Sequence, residues 1–576
     1  MPDPTERFGD PPPSGPRSVD EHDAPDFTPA SDKFSADRGT DDFEAEPVDR
    51  GAFRDADDLE VEPADRGSTR MDMALLAVAA LLIRVPAFLS SRHLTFDDGV
   101  FASSVIAMRD GALPFRDVFS SQGPLFLPLA FVGDLIGFRT LDAPRVLAIL
   151  SGVSITLTAY WCLRTMAGRR AAVFGSLVVL TSGCLMWVTG PLAADGPALA
   201  FAMLSFALAL VYNRRPTLRT ALLMGLAVGA TLCTKAMEAP ILLPVVMVLG
   251  APLLAAFRSG TLRVRSFLDT FAAAAISAVL FLAISVPFGL SDVWDQSFRY
   301  RTEAASARDP LANAAKIIST MWDRDLVIWL CAAAVIAWSL RTWSQRRNPG
   351  GETRNPRGET RNPRGEAIDS TSWATRTPGR TLTPSGRTLV VSWTVFSFLW
   401  LVFMVSPMWR PHVSAMVPPL ALLLGLFTPP RRVLLVLAVI AVPLTAIQLD
   451  GLLAPGEYKG SEAEVVSILE GLPTGAWALS DEPGLVWRAG RRTTANMVDP
   501  SMLRVQQGRY TAATLAEDAA LPQVCAVVVR SNERFGSFPD LGERLDDEGY
   551  TVAATSRNRA GDDQRVYVKT DCDPLG

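Results

Sequence analysis

Asp97 and Asp98 are adjacent carboxylates in the run His93-Leu-Thr-Phe-Asp97-Asp98-Gly99-Val-Phe101, just beyond the first apolar segment of the chain. A carboxylate placed there suits general-base chemistry on a hydroxyl group. The pair equally suits a helix start, because Asp ahead of an apolar-periodic run caps free backbone N–H groups. Ionisable groups recur beside other apolar segments: Asp195 in Pro191-Leu-Ala-Ala-Asp195-Gly-Pro197, Lys235 with Glu238 in Thr234-Lys235-Ala-Met-Glu238-Ala-Pro240, and Arg410 with His412 in Pro407-Met-Trp409-Arg410-Pro411-His412. Asp195 also reads as a helix cap, with Pro197 in the first turn. Lys235 and Arg84 sit near the ends of apolar segments, where a charge marks a functional cavity or snorkels to the interface. Carboxylates and cations gathered on one face would serve transfer of a group from a phosphate. A base takes the acceptor proton, and cations neutralise the departing phosphate.

The elements that must position these residues are membrane helices. The chain has 576 residues, 49% of them hydrophobic, a net charge of −5 and a mean hydropathy of +0.21. Apolar runs recur at 72–90, 144–163, 171–189, 197–212, 218–234, 239–257, 267–288, 325–343, 388–406, 412–427 and 433–449. Each is long enough to cross, or nearly cross, a hydrocarbon core of about 30 Å. The reading is a mainly α, polytopic membrane protein of about eleven transmembrane helices with a small C-terminal α/β soluble domain. No basic, aromatic-interleaved face points to nucleic acid.

Three parts follow in order. Residues 1–70 are rich in Asp, Glu, Pro, Gly and Ser and predict a disordered cytoplasmic tail. Residues 71–452 form the transmembrane domain, interrupted at 344–387 by a cytoplasmic loop whose repeat RNPGGET, RNPRGET, RNPRGEA forbids regular structure. Residues 453–576 alternate short β-branched runs (476–479, 525–529, 550–554, 565–568) with helix-like stretches such as 541–548. Cys525 and Cys572 lie in this last part, where an oxidising compartment would permit a disulfide.

Orientation follows from short-loop arginines. The loops 164–170, 214–219, 258–265, 341–387 and 431–432 fall on one side if the N-terminus is cytoplasmic and eleven segments cross. The C-terminal domain is then extracytoplasmic, in a multi-pass protein of the cell membrane. The apolar stretch 123–138 carries Pro124, Pro128 and Asp134 and would invert every later loop if it spanned. It reads as a re-entrant or interfacial segment on the outer face.

The runs DDGVF, RDGALPFRDVFSSQGPLF, AADGPAL and TKAMEAPILLP, in that order, resemble the membrane-embedded C-superfamily glycosyltransferases. The likeness is to family 39 and the protein-mannosyltransferase-like group, in its bacterial branch, and it covers roughly residues 84–244. That resemblance implies a lipid-phosphate-sugar donor, a hexosyl or pentosyl group transferred on the outer face, and Asp97 as the first-loop base. Asp98 stands where the family usually has Glu. Gln122-Gly123 replaces the usual Lys-Pro, removing one cation expected near the donor phosphate, which Arg116, Lys235 or Arg84 could supply.

The site expected from these readings has Asp97, Asp98 and Asp195 as catalytic carboxylates. Arg84, Arg116, Gln122, Lys235, Glu238, Arg410 and His412 are its donor-phosphate or substrate residues. No metal or organic cofactor is assigned. Of three histidines one lies in the tail, no His/Cys cluster has ligand spacing, and a divalent ion would have only the three aspartates. Expected partners are membrane lipids, a polyprenyl-phosphate sugar donor, and an envelope glycan, lipid or protein acceptor. Two other readings stand beside the enzyme: a lipid-linked sugar transporter or flippase, and a non-catalytic envelope scaffold of the same fold. Transporters carry internal repeats and midplane charges, whereas these polar residues gather at one face.

Overall fold

The computed structural model describes residues 63–260, 264–303, 309–347, 384–453, 462–557, 563–572 and 574. The chain divides into two units, Met1–Glu62 and Pro63–Gly576, and the first lies outside the described residues. Most of the expected tail therefore lies outside as well, as do residues 348–383 with nearly all of the heptapeptide repeat. The tail was expected to reach residue 70, but a helix already begins at Pro63.

Helices α1 (Pro63–Phe88), α2 (Phe96–Arg109), α3 (Phe126–Ile136), α4 (Val146–Ala167), α5 (Arg169–Thr181), α6 (Gly183–Thr189), α7 (Asp195–Arg214), α8 (Leu218–Thr234), α9 (Leu242–Ser259) and α10 (Val264–Ser285) come first. Two short helices, α11 (Leu290–Trp294) and α12 (Tyr300–Glu303), lead to α13 (Pro310–Arg324), α14 (Leu326–Arg347), α15 (Gly386–Phe403), α16 (Val417–Leu426) and α17 (Arg431–Leu453).

Among the described residues, eight helical segments are long and apolar enough to cross a membrane, or nine if the pair α5–α6, bent by 62°, is one span. The two other expected crossings are shorter. Helix α8 has 17 residues, and the stretch from Arg410 splits into a 3-10 turn (Arg410–Met416) and the ten-residue α16. Pro411, Pro418 and Pro419 each remove a backbone donor, which keeps that stretch from winding as one α-helix. The α5–α6 bend is also capped: Ser182 Oγ accepts from Leu185 N at 3.2 Å, and Asp325 Oδ2 accepts from Cys184 N at 3.3 Å. Helix α7 is 72% buried in its apolar window, against 11% for α10 and for α17. It is therefore the packed centre, and those two turn apolar surface outward, as a lipid-facing rim requires.

Helix α3 has 11 residues, about 16 Å at 1.5 Å per residue, half the width of a bilayer core. It matches the non-spanning segment expected at 123–138. The fully buried Asp134 fixes it to α2, accepting from Arg109 Nε at 3.0 Å and Nη2 at 2.5 Å.

The C-terminal region holds strands β1 (Trp477–Ser480), β2 (Val524–Val529), β3 (Tyr550–Arg557) and β4 (Asp563–Lys569) in the order β1-β2-β4-β3. They coincide with the four predicted runs. Strands β1 and β2 are parallel and the other pairs antiparallel. Every residue of β2 is buried, so both faces of the sheet are covered. The covering helices are α18 (Glu462–Glu470), α19 (Pro483–Arg488), α20 (Met502–Gln506), α21 (Ala512–Ala520) and α22 (Leu541–Asp547). Cys525 and Cys572 form a disulfide with Cα atoms 5.4 Å apart.

Helix α19 seats this region on α2. Ser103 Oγ donates to Pro483 O at 3.3 Å, Trp487 Nε1 donates to Leu141 O at 3.0 Å, and Arg488 pairs with Asp142 at 2.6 Å. Gly99 and Gly484 meet backbone to backbone, and a Cβ on Gly99 would lie 2.4 Å from Gly484 N. Gly99→Val is therefore expected to lift the C-terminal region from α2 and to cost about 1–3 kcal/mol, the range for overpacking. Limited proteolysis should then release a C-terminal fragment faster than in the parent protein. An unchanged digestion pattern would mean the seat yields without loss.

Candidate functional site

Neighbouring residues on a helix point roughly 100° apart, so Asp97 and Asp98 leave the first turn of α2 in different directions. The cap of α2 is Thr95, whose side chain accepts from Asp98 N at 3.2 Å, and neither aspartate is needed for that task. Asp98 is fully buried. It accepts from Arg145 Nη2 at 2.5 Å and Nε at 3.1 Å, and from the N–H groups of Leu94 and Leu192 at 2.9 Å each. Burial works to raise its pKa, but the Arg145 guanidinium and the two N–H groups hold it below the usual carboxylate range. The remaining Arg145 donors go to Ala87 O, Ser90 O and Arg92 O. Asp98 and Arg145 thus tie the end of α1, the start of α2 and the loop before α7 together. Fixed donors surround the Asp98 carboxylate, which fits a structural tie better than the catalytic part first considered for it.

Asp97 is half-buried. Burial pushes its pKa up to about 6, Asp195 and Asp499 push the same way, and Lys235 and Arg301 oppose. All four charged groups therefore lie near its carboxylate. Asp195 starts α7 without capping it through its side chain. It is 1% exposed and meets Lys235 Nζ at 2.6 Å, while its second oxygen, Oδ1, has no partner among the described residues. Lys235 interrupts the helix after Thr234, with extended backbone (φ −154°, ψ 109°). Glu238 follows in a 3-10 turn, Ala236–Ile241, which contains Pro240. Glu238 is buried and close to both Asp195 and Lys235.

Gln122 joins Lys235 because the chain before α3 crosses the end of α8. Gly123 N donates to Thr234 O at 3.1 Å and Leu125 N to Cys233 O at 2.9 Å. A Cβ on Gly123 would lie 2.1 Å from Cys233 O, so only glycine permits the approach. Lys235, Gln122, Arg301, Ser297 and Trp400 line a cavity of about 260 Å³. Gln122 Oε1 is buried without a partner among the described residues. Arg301 Nε donates to Ser121 O at 3.1 Å, which holds the guanidinium at the cavity wall. His412 is buried near Lys235 and Arg301, and its Nδ1 accepts from Trp409 N at 3.2 Å.

Three expected substrate residues lie elsewhere. Arg84 is packed between helices, donating to Thr189 Oγ1 at 2.9 Å and Ala80 O at 3.1 Å. Arg116 is exposed, and Arg410 pairs at the surface with Asp323 at 3.3 Å. None of them lines the cavity. Arg301 and Asp499 went unnoticed in the sequence. Arg301 shares its loop with Arg299, Arg308, Lys316 and Arg324, so nothing local singled it out, and Asp499 belongs to a different region of the chain. Among the described residues no group of three or more His, Cys, Asp or Glu is placed to hold a metal ion. Two of the three aspartates considered for one are committed, Asp98 to Arg145 and Asp195 to Lys235.

No protein-family model matches the sequence, and no curated protein matches it. Solved structures do match. ArnT from Cupriavidus metallidurans bound to undecaprenyl phosphate superposes with a TM-score of 0.56 at 14% identity, covering 88% of this chain and 99% of that one. The same protein in the apo state gives 0.54 at 14% identity, over 88% and 98%. A likeness at this identity shows the fold, so the family 39 resemblance rests on the sequence motifs alone. Over 88% of its length, the chain shares the fold of ArnT.

Proposed function

We propose that the protein moves a hexosyl or pentosyl group from a polyprenyl-phosphate carrier to a hydroxyl of an envelope glycan, lipid or protein, on the outer face of the membrane. The observation that carries this reading is the cavity where Lys235 and Arg301 sit together, within electrostatic reach of Asp97. Asp97 removes the acceptor proton as the acceptor oxygen bonds to the sugar's anomeric carbon. The bond from that carbon to the phosphate oxygen breaks, and the polyprenyl phosphate leaves with its electron pair. Lys235 and Arg301 neutralise the charge that develops there, Arg301 supplying the cation that Gln122 does not. The undecaprenyl phosphate bound by ArnT, a protein of the same fold, supports a polyprenyl phosphate as the carrier.

The test incubates purified protein with a panel of polyprenyl-phosphate sugars. Consumption of a donor by hydrolysis or transfer is expected. A carrier moved across vesicles without loss of its sugar would favour the transporter, and inertness in both assays the scaffold.

The active site opens on the outside in this proposal, with the N-terminus in the cytoplasm. Single cysteines at the exposed Ser385 and Ser537, in an otherwise cysteine-free chain, should react with an impermeant thiol reagent from opposite sides. Reaction of both from one side would refute the orientation.

A further inference from the structure

The C-terminal region does more than sit on α2: it enters the site. Val498 is fully buried and packs with Val100 and Phe101 of α2, and with Leu192 and Ala194 of the loop that leads to Asp195. This wedge places the next residue, Asp499, beside the reaction centre. Asp499 is 5% exposed, and its Oδ1 accepts from Ser501 N at 3.1 Å. The segment is held on its far side too. Tyr300 Oη and Ser501 Oγ are 3.2 Å apart, Gln507 Nε2 donates to Tyr300 O at 3.1 Å, and the Arg504 guanidinium lies 4.2 Å above the Phe119 ring. Arg504 Nη1 donates to Asp499 O at 3.0 Å, so this cation holds the backbone of Asp499. The charged groups that face Asp97 are then Lys235 and Asp195 from the membrane helices, Arg301 from α12 and Asp499 from the C-terminal region.

Asp97 and Asp499 thus bring two carboxylates to one site beside Arg301, and paired carboxylates are an arrangement for hydroxyl groups. Saccharides present adjacent hydroxyls, so one can lose its proton to Asp97 while its neighbour donates a hydrogen bond to a second carboxylate. We propose that Asp499 binds the acceptor, accepting a hydrogen bond from the hydroxyl next to the one that reacts, and that the acceptor is therefore a saccharide or another vicinal diol. The inference rests on the sugar-transfer reading. It adds that the C-terminal region is part of the acceptor site and contributes to the choice of acceptor.

Full-length Asp499→Asn tests it, since Asn keeps an oxygen for Ser501 N. The probes are undecaprenyl phosphate for carrier binding, a polyprenyl-phosphate sugar for hydrolysis by water, and a panel of free mono- and disaccharides for transfer. The saccharide KM is expected to rise about tenfold or more, the range of one charged hydrogen bond, and the ratio of transfer to hydrolysis to fall with it. The ratio of transfer to hydrolysis does not depend on the folded fraction, so it is read for Asp499→Ser as well. An unchanged saccharide KM overturns the proposal. So does a proportional fall in carrier binding, hydrolysis and transfer, which would make Asp499 a support for Arg301. A parent protein that consumes no donor overturns the sugar-transfer reading, and this inference with it.

Discussion

Asp97→Asn is expected to lower turnover by about 10² or more while the protein stays folded. Asn keeps the shape of the side chain and removes its basicity, and the half-buried position makes no structural demand on a charge. The parent protein should show an acid limb in kcat/KM, because the base must be ionised to act. Burial and the neighbouring carboxylates raise Asp97 to about 6, so activity is full well above pH 6 and falls as the pH drops through it. Asp98→Asn should behave differently. It leaves the fully buried Arg145 with only the more distant, partly exposed Asp142 at 3.6 Å, a loss of about 3–5 kcal/mol for a broken buried pair. Folded yield should collapse, and what folds should keep its turnover. If Asp97→Asn keeps near-normal turnover and folded Asp98→Asn does not, the base is Asp98. If neither variant affects turnover, the enzymatic reading fails.

The second large effect concerns Lys235, whose ammonium has two duties. It neutralises the buried Asp195 at 2.6 Å and reaches the cavity that the phosphate would fill. Lys235→Met alone should cost about 3–5 kcal/mol of stability, because Asp195 is left as an uncompensated buried charge. Its loss of function would then be ambiguous. The double variant Lys235→Met with Asp195→Asn removes both charges and should recover most of that stability. Donor use should stay weakened by about 1.5–3 kcal/mol, the range of a hydrogen bond to a charged group. Thermal unfolding reports the first quantity and donor kcat/KM the second. Recovery of both together would mean that Lys235 serves only Asp195, and the phosphate would then belong to Arg301.

Much of the architecture follows from one-dimensional facts. An apolar run either is or is not long enough to cross hydrocarbon, so most spans were legible from length and composition. The prolines and Asp134 of segment 123–138 told against a span there, and α3 is indeed too short to cross alone. Short β-branched or apolar runs set between helix-like stretches located the four strands, and the fully buried β2 reads as one continuous apolar run. Where proline interrupts a run, as at Pro418 and Pro419, length misled: the hydrophobicity continues but the α-helix does not.

The site divides along the same line. The sequence by itself determined which loops carry ionisable groups against apolar segments, and so named Asp97, Asp98, Asp195 and Lys235 together. Spacing alone could not separate Asp97 from Asp98, which only the family resemblance distinguished, because the difference is a rotation of roughly 100° about a helix axis. That rotation turns one carboxylate onto Arg145 and the other toward Lys235 and Arg301. Nor could it exclude Arg84, a cation at the right depth whose hydrogen bonds lie between helices. Only the tertiary structure brought in Arg301 from the loop after α10 and Asp499 from the C-terminal region. Charges distant along the chain become partners by packing, and packing is a property of surfaces that meet, which no local spacing records.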